Sequence, residues 1–374
     1  MSVGIAGTGW VTPLGSNVQE VWSRLLAGEQ PIIQEVCDPI GKHGYPVYRV
    51  PPESLKNLPP HPRLRRASAI SRFAAAAGLA ALADANLTLD EKLTDRLALI
   101  FAVANGGVIY TKRFYSDIVK TGADAASPLL FPETVFNAAA SHLAAIIGLS
   151  GASYTLVGDG SVGLTAIQMG EDLLANTKLE YCLVVAAEEA DWLLCDAYQK
   201  WRLLRSGGSL KVFEDIGKGM ILSEGAGAVL LSRSAPIEIA AISAGAHFNR
   251  RNEVSAALAE TLAQIGSSSD AIVISSANGT FIDAAEIAAI KQVLPNAMLY
   301  SPKEALGEGV AASALWQVIV ATEALRSKKL PCPQYSNASR TGPKGPIQLV
   351  NPAEMTVLTC GLNQQAGAAR LVRL

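Results

Sequence analysis

Along the chain, short apolar runs alternate with longer alanine-rich stretches. This is the pattern of an α/β protein whose sheets are largely buried. It predicts strands over Val3–Ala6, Leu97–Val103, Tyr154–Val157, Tyr181–Ala187 and Ala226–Leu231. A second set is predicted at Ile237–Ile242, Ala271–Ser275, Ala297–Tyr300, Ile347–Leu349 and Thr356–Leu358. Helices are predicted over Val18–Ala27, Ser68–Ala85, Pro132–Ile147, Ser161–Ala175, Glu253–Ile265, Ile282–Val293 and Gly309–Ser327. Pro132 suits a first helical position, where no hydrogen bond is lost by its missing N–H.

The pattern also repeats. Arg96-Leu-Ala-Leu-Ile-Phe-Ala-Val-Ala-Asn-Gly106 ends a strand on Ala-Asn-Gly, and Ala271-Ile-Val-Ile-Ser-Ser-Ala-Asn-Gly279 does the same. After each come a helix, a strand, a glycine-bearing turn (Val157–Gly160 and Ser301–Gly307) and another apolar helix. Two related halves, 1–234 and 235–374, are expected, meeting where Ser232-Arg-Ser-Ala-Pro236 interrupts two strands.

Composition narrows the function. Of the 374 residues 49% are apolar and 17% charged, so a large core is expected. A net charge of −2 leaves no electrostatic footprint for nucleic acid. The local cluster Arg63, Arg65 and Arg66 reads as a solvated face, able to meet one acidic partner. The opening Met1–Ile5 carries no basic start and runs into a strand, so no export signal is expected. No apolar run reaches about 18 residues, so no membrane span is expected. Cys37, Cys182, Cys195, Cys332 and Cys360 are scattered without metal or disulfide spacing, which suits reduced thiols in a cytoplasmic protein. Gly4-Ile-Ala-Gly-Thr-Gly9 faintly suggests a dinucleotide loop, but Pro13 opposes a helix there and the expected acidic residue is missing, so no cofactor is assigned.

Gly7-Thr-Gly-Trp-Val-Thr-Pro-Leu-Gly15, Val21-Trp22 and Leu25-Leu-Ala-Gly-Glu29 resemble the opening of β-ketoacyl-acyl-carrier-protein synthases. The resemblance continues through Arg72–Ala77, Phe131-Pro-Glu-Thr-Val-Phe-Asn137 and Ser223-Glu-Gly-Ala-Gly-Ala-Val-Leu-Leu231, so it spans almost the whole chain. It implies a thiolase-like α/β fold, with duplicated βαβαβ halves in a layered α-β-α-β-α arrangement.

In that family a cysteine at a helix N-terminus takes up an acyl group. Two histidines then stabilise the enolate left when a malonyl unit loses carbon dioxide, supported by a lysine and an acidic partner. Alignment on Gly151-Ala-Ser-Tyr154 and Gly163-Leu-Thr-Ala-Ile167 puts Gly160 at the cysteine position. Ala277-Asn-Gly-Thr280 puts Asn278 at the first histidine, and asparagine carries no transferable proton. In Lys303-Glu-Ala-Leu-Gly-Glu308 the lysine is retained, and Glu308 replaces the second histidine with a group that would repel an enolate. The C-terminal glycine-rich turn is altered to Cys360-Gly-Leu-Asn-Gln-Gln-Ala-Gly367. The cysteine and both histidine positions of the family are therefore expected to be lost, at Gly160, Asn278 and Glu308, with Lys303 retained. Ser161 offers a hydroxyl one residue away, although a helix cap from Asp159 or Ser161 is the plainer reading. His142 reads as structural, and His43, His61 and His247 lie in loop-like contexts without metal-ligand spacing, so no metal is assigned.

An intact fold with its condensing groups replaced resembles the chain-length-factor subunits of bacterial type II polyketide and related polyene systems. The resemblance implies a non-catalytic partner of an active ketosynthase homologue, shaping the acyl tunnel during polyketide, polyene or fatty-acid-type elongation on an acyl carrier protein. Gly160 departs from the glutamine of typical chain-length factors, which points to a divergent branch of aryl-polyene type. The resemblance places Val108, Ile109, Tyr110, Phe114, Tyr115 and Phe136 at the dimer interface. There, bulky side chains either close the tunnel by filling its volume, with Tyr110 or Phe114 setting the limit, or simply pack the interface. Two further readings stand: altered acyl chemistry using Ser161, Asn278 or Glu308, and a stand-alone protein that binds acyl groups or a carrier protein.

Overall fold

The computed structural model describes residues 2–39, 41, 43–336, 345–350 and 354–374. Ten strands carry the architecture. In the first half they are β1 (Gly4–Val11), β2 (Leu97–Val103), β3 (Ser153–Val157), β4 (Tyr181–Glu188) and β5 (Gly225–Ser232). In the second they are β6 (Ile237–His247), β7 (Ile272–Ile274), β8 (Met298–Tyr300), β9 (Glu354–Cys360) and β10 (Gln365–Arg373). The spatial order in the first half is β3-β2-β4-β5-β1, and in the second β8-β7-β9-β10-β6, with Tyr335–Ser336 added beyond β8. Each half thus repeats one arrangement, a parallel trio followed by two antiparallel strands. The halves touch edge to edge where β1 pairs briefly with β6, Gly4 opposite Glu238 and Ile5 opposite Ile237.

Of the eleven α-helices among the described residues, eight bear on the layers and the site: α1 (Ala69–Asp84), α2 (Val108–Thr121), α3 (Ala138–Ile147), α4 (Val162–Asn176), α5 (Val254–Ile265), α6 (Phe281–Val293), α7 (Lys303–Leu306) and α8 (Ala311–Ser327). Helices α1 and α3 cover the outer face of the first half-sheet, and α5, with α6 against it, covers that of the second. Helices α4 and α8 lie between the two and touch strands of both. This is the α-β-α-β-α layering of the thiolase fold. A middle helix has no solvent face, and α8 is buried continuously from Ala311 to Leu325.

Glycines permit two close approaches. A Cβ at Gly9 would lie 2.2 Å from the carbonyl oxygen of Ala77, so this glycine lets β1 pack closely against α1. A Cβ at Gly309 would lie 2.6 Å from the Trp316 ring, whose indole N–H donates to the carbonyl oxygen of Ala226 at 2.8 Å. That contact fixes the segment leading into α8.

Three local expectations need correction. The helix expected over Pro132–Ile147 is broken: a 3-10 turn at Phe131–Thr134 precedes α3, because Val135 is extended. The break turns Glu133 inward, where it accepts from the Ser68 N–H at 2.9 Å and meets His142 Nε2 at 2.6 Å. The strand expected at Ile347–Leu349 covers Ile347–Gln348 and pairs with Lys329–Leu330 outside the main sheet. His247 is the exposed last residue of β6, not a loop residue.

Candidate functional site

The parallel strands bring their carboxyl ends to one region, where the Ala-Asn-Gly repeats finish. Asn278 follows β7, Lys303 opens α7, and Glu308 lies on the link between α7 and α8. That link is held like a strand: the Glu308 N–H donates to the Ile221 carbonyl, and the Glu308 carbonyl accepts from the Ser223 N–H, both at 2.9 Å.

Four donors converge on the Glu308 carboxylate. Oε2 accepts from Asn278 Nδ2 at 2.7 Å and from Lys303 Nζ at 2.8 Å. Oε1 accepts from the Val310 N–H at 2.9 Å and from Ser313 Oγ at 3.0 Å. These fill the roughly four acceptor directions a carboxylate offers. Asn278 is held in turn, its Oδ1 accepting from Thr280 Oγ1 at 2.6 Å and its N–H donating to Asp283 at 2.9 Å. Asn278, Lys303 and Glu308 are each no more than 2% exposed. The network also holds Val310 at φ +47°, a costly conformation for a β-branched residue.

Gly160 lies in the turn before α4, against the hairpin between β9 and β10. A Cβ there would meet Gly361 Cα at 3.1 Å and the Cys360 carbonyl oxygen at 3.4 Å, so a side chain is accommodated only if the hairpin gives way slightly. The neighbouring functional groups are also committed. Ser161 is 1% exposed and donates to the Gln365 carbonyl at 3.2 Å. The expected helix cap is absent: Ser161 makes no side-chain cap bond, and the Asp159 carboxylate turns to Gly160 and the hairpin. Cys360, the last residue of β9, lies beside Gly160. Burial, and then Glu286, push its thiol well above the usual range, so the reactive thiolate is disfavoured.

Beside this turn is a cavity of about 540 Å³, whose walls include Asn105, Asp159, Tyr198, Val310 and Leu362. Arg250 and Arg251 are exposed along its rim, and the Arg251 guanidinium stacks over the Phe281 ring at 4.8 Å.

The six tunnel candidates do not form one wall. Val108 packs toward Leu362 and Val310 in the apolar cluster beside the cavity. Ile109 and Tyr110 line a separate groove along α2, with Lys112, Arg113 and Lys120. Phe114 meets Phe131 at a tilt, 5.7 Å between ring centroids, and Tyr115 edge-on at 5.8 Å, and Tyr115 is largely exposed. Phe136 belongs to the broken segment before α3 rather than to a helix, and its ring covers Gly106. Among the described residues, no group of three or more His, Cys, Asp or Glu is placed to hold a metal, and no helix is long and apolar enough to cross a membrane.

Removing one partner of a buried ion pair leaves the other charge unpaired, at a cost of about 3–5 kcal/mol. Glu308→Ala is expected to lose stability on that scale, Glu308→Gln less, and Lys303→Met/Glu308→Leu less than Glu308→Ala, as read from urea unfolding. At the end of β4, burial pushes the Glu188 carboxyl up to about 8 against the pull of the Ala104, Asn105 and Gly106 amides. The folded state then holds a proton that the unfolded chain has released, so this residue's contribution to stability falls as pH rises from about 4.5 to about 8. Glu188→Gln should flatten that part of the stability–pH profile in denaturant titrations. An unchanged slope would show that Glu188 is ionised in the folded protein.

Residues 52–236 match the family description "Beta-ketoacyl synthase, N-terminal domain", and residues 235–335 match "Beta-ketoacyl synthase, C-terminal domain". Nodulation protein E of Rhizobium leguminosarum bv. trifolii is 25% identical over 61% of this chain and 57% of its own. A 3-oxoacyl-[acyl-carrier-protein] synthase 2 of Vibrio cholerae is 24% identical over 50% of this chain and 45% of its own. The matched region thus spans about half the length of these curated relatives. The structure titled "The ishigamide ketosynthase/chain length factor" superposes with a TM-score of 0.87 at 18% identity, over 100% of this chain and 99% of that one. A ketosynthase in complex with its chain length factor from Xenorhabdus doucetiae gives 0.82 at 18% identity, over 100% and 98%. With both family domains matched in order and the layered fold in place, the chain belongs to the β-ketoacyl synthase family.

Proposed function

We propose that this chain is the non-condensing, chain-length-factor-like partner of an active ketosynthase homologue, in acyl chain elongation on an acyl carrier protein. The observation that carries the reading is the saturated Glu308 carboxylate. Asn278, Lys303 and Ser313 each donate a hydrogen bond to Glu308, so Asn278, Lys303 and Glu308, aligned with the family's decarboxylation site, are engaged with one another. Gly160, aligned with the nucleophile, has no side chain to acylate. The committed Ser161 hydroxyl counts against the rival reading of altered acyl chemistry. Aryl-polyene-type elongation in the cytoplasm is the setting that the sequence resemblance favours.

The surface supports a partner of the same fold. Strand β3 ends the first half-sheet, and Tyr154 and Val157 on it are exposed. Leu129, Phe131, Val135 and Phe136 nearby are exposed as well. An unpaired strand edge beside apolar side chains is a template for another sheet, which a homologous chain supplies. Under this reading Phe114, Tyr115 and Phe136 become interface groups, and Tyr110 or Phe114 limits the space left for a growing acyl chain.

Native mass spectrometry after co-expression with a ketosynthase that retains its Cys-His-His set should give a one-to-one complex. Val157→Lys should break the complex without lowering the thermal midpoint of this chain. In the intact pair, Tyr110→Ala or Phe114→Ala should lengthen the products. A homodimer that ignores the ketosynthase would contradict the subunit reading, and unchanged product lengths would remove these two residues from the tunnel.

A further inference from the structure

Residues 129–136 present their side chains the wrong way round for a free surface. Leu129, Phe131, Val135 and Phe136 are exposed, while Glu133, the one charged residue in the segment, is 5% exposed. Burying a carboxylate costs free energy, and so does leaving four large apolar side chains in water. A segment that bears both costs is set for something outside the chain to cover it.

The carboxylate is held between two helices. Its Oε2 accepts from the N–H of Ser68, the residue that caps α1, at 2.9 Å, and from Ser71 Oγ at 3.5 Å. Its Oε1 meets His142 Nε2 of α3 at 2.6 Å, and Glu133 is the only hydrogen-bond partner of that ring among the described residues. The main chain is fitted as closely. A Cβ at Gly107 would lie 2.4 Å from the Glu133 carbonyl oxygen, and Thr111 Oγ1 donates to the Thr134 carbonyl at 3.3 Å. The segment is thus pinned to the start of α2 as well.

We infer that Glu133 is a positioning residue for partner binding: by tying residues 129–136 to α1 and α3, it holds Phe131, Val135 and Phe136 outward as one apolar patch. The occupant of the patch is the ketosynthase homologue, and for that identity the inference rests on the subunit reading above. Continuity argues for it, because α3 also packs against β3, whose open edge carries the exposed Tyr154 and Val157. Glu133 acts through the patch rather than by touching the partner.

Hydrogen exchange on the free chain tests the positioning. Glu133→Ala should speed exchange across residues 129–136 about tenfold more than in the core strands β2 and β4. Glu133→Gln keeps an acceptor for the Ser68 N–H and should stay near the wild type. A rise in Glu133→Ala no greater at 129–136 than in β2 and β4 overturns the inference. Pairing with the ketosynthase tests the purpose. Measured below the variant's thermal midpoint, Glu133→Ala should weaken the pair about tenfold, the scale of one lost anchor. Phe131→Ala should weaken it too, and the double variant by less than the product of the two factors, because both changes act on one patch. Undiminished pairing of Glu133→Ala, or factors that simply multiply, overturns the inference. A wild type that does not pair contradicts the subunit reading instead, and the exchange result still decides the positioning. If Glu133→Ala does not fold, His142→Leu, which removes one anchor of the carboxylate, is read in the same two assays.

Discussion

Burying a lysine and a glutamate together is tolerable only when each charge is matched and the remaining polar atoms are bonded. The Lys303–Glu308 pair sits under that constraint, and much of the site follows from it. Asn278 is oriented by its bond to Glu308, Ser313 at the start of α8 is turned toward the same carboxylate, and Val310 is held in a strained conformation between them. The middle helical layer supplies the dry surroundings, with Gly309 seated against Trp316 and α8 buried along most of its length. The donors of Asn278, Lys303, Val310 and Ser313 all meet at the one Glu308 carboxylate.

A second closure lies beside the first. The main-chain donors around Asp159 and the network around Glu308 border the same cavity, through Asp159 and Val310, and each consists of donors bonded within the chain. Neither needs a ligand to complete it. Strand β3 is the edge of the first half-sheet, and an edge of this kind leaves main-chain groups available for pairing.

Much of this was legible in the sequence. The Ala-Asn-Gly repeats mark the ends of β2 and β7, and those strands occupy equivalent places in the two half-sheets. The spacing from Lys303 to Glu308 was enough to single out both residues. The partners of Glu308 were not legible, because Ser313 and the Val310 amide meet it only through the unusual turn into α8. Asp159 was misread as a helix cap for a similar reason. Its true partners lie on a hairpin some two hundred residues later in the chain, a contact that local propensity does not encode. The broken helix before α3 shows tertiary contact overriding a good local start, since Glu133 leaves the helical path to reach Ser68 and His142.

Whether the chain itself ever carries an acyl group is the question that separates a shaping subunit from an enzyme. Intact-protein mass spectrometry after incubation with acyl-loaded carrier protein, with and without the co-purified ketosynthase, answers it directly. The account predicts an acyl adduct on the ketosynthase alone and an unchanged mass for this chain in both mixtures. A stoichiometric acyl adduct on this chain that disappears in Ser161→Ala would contradict it.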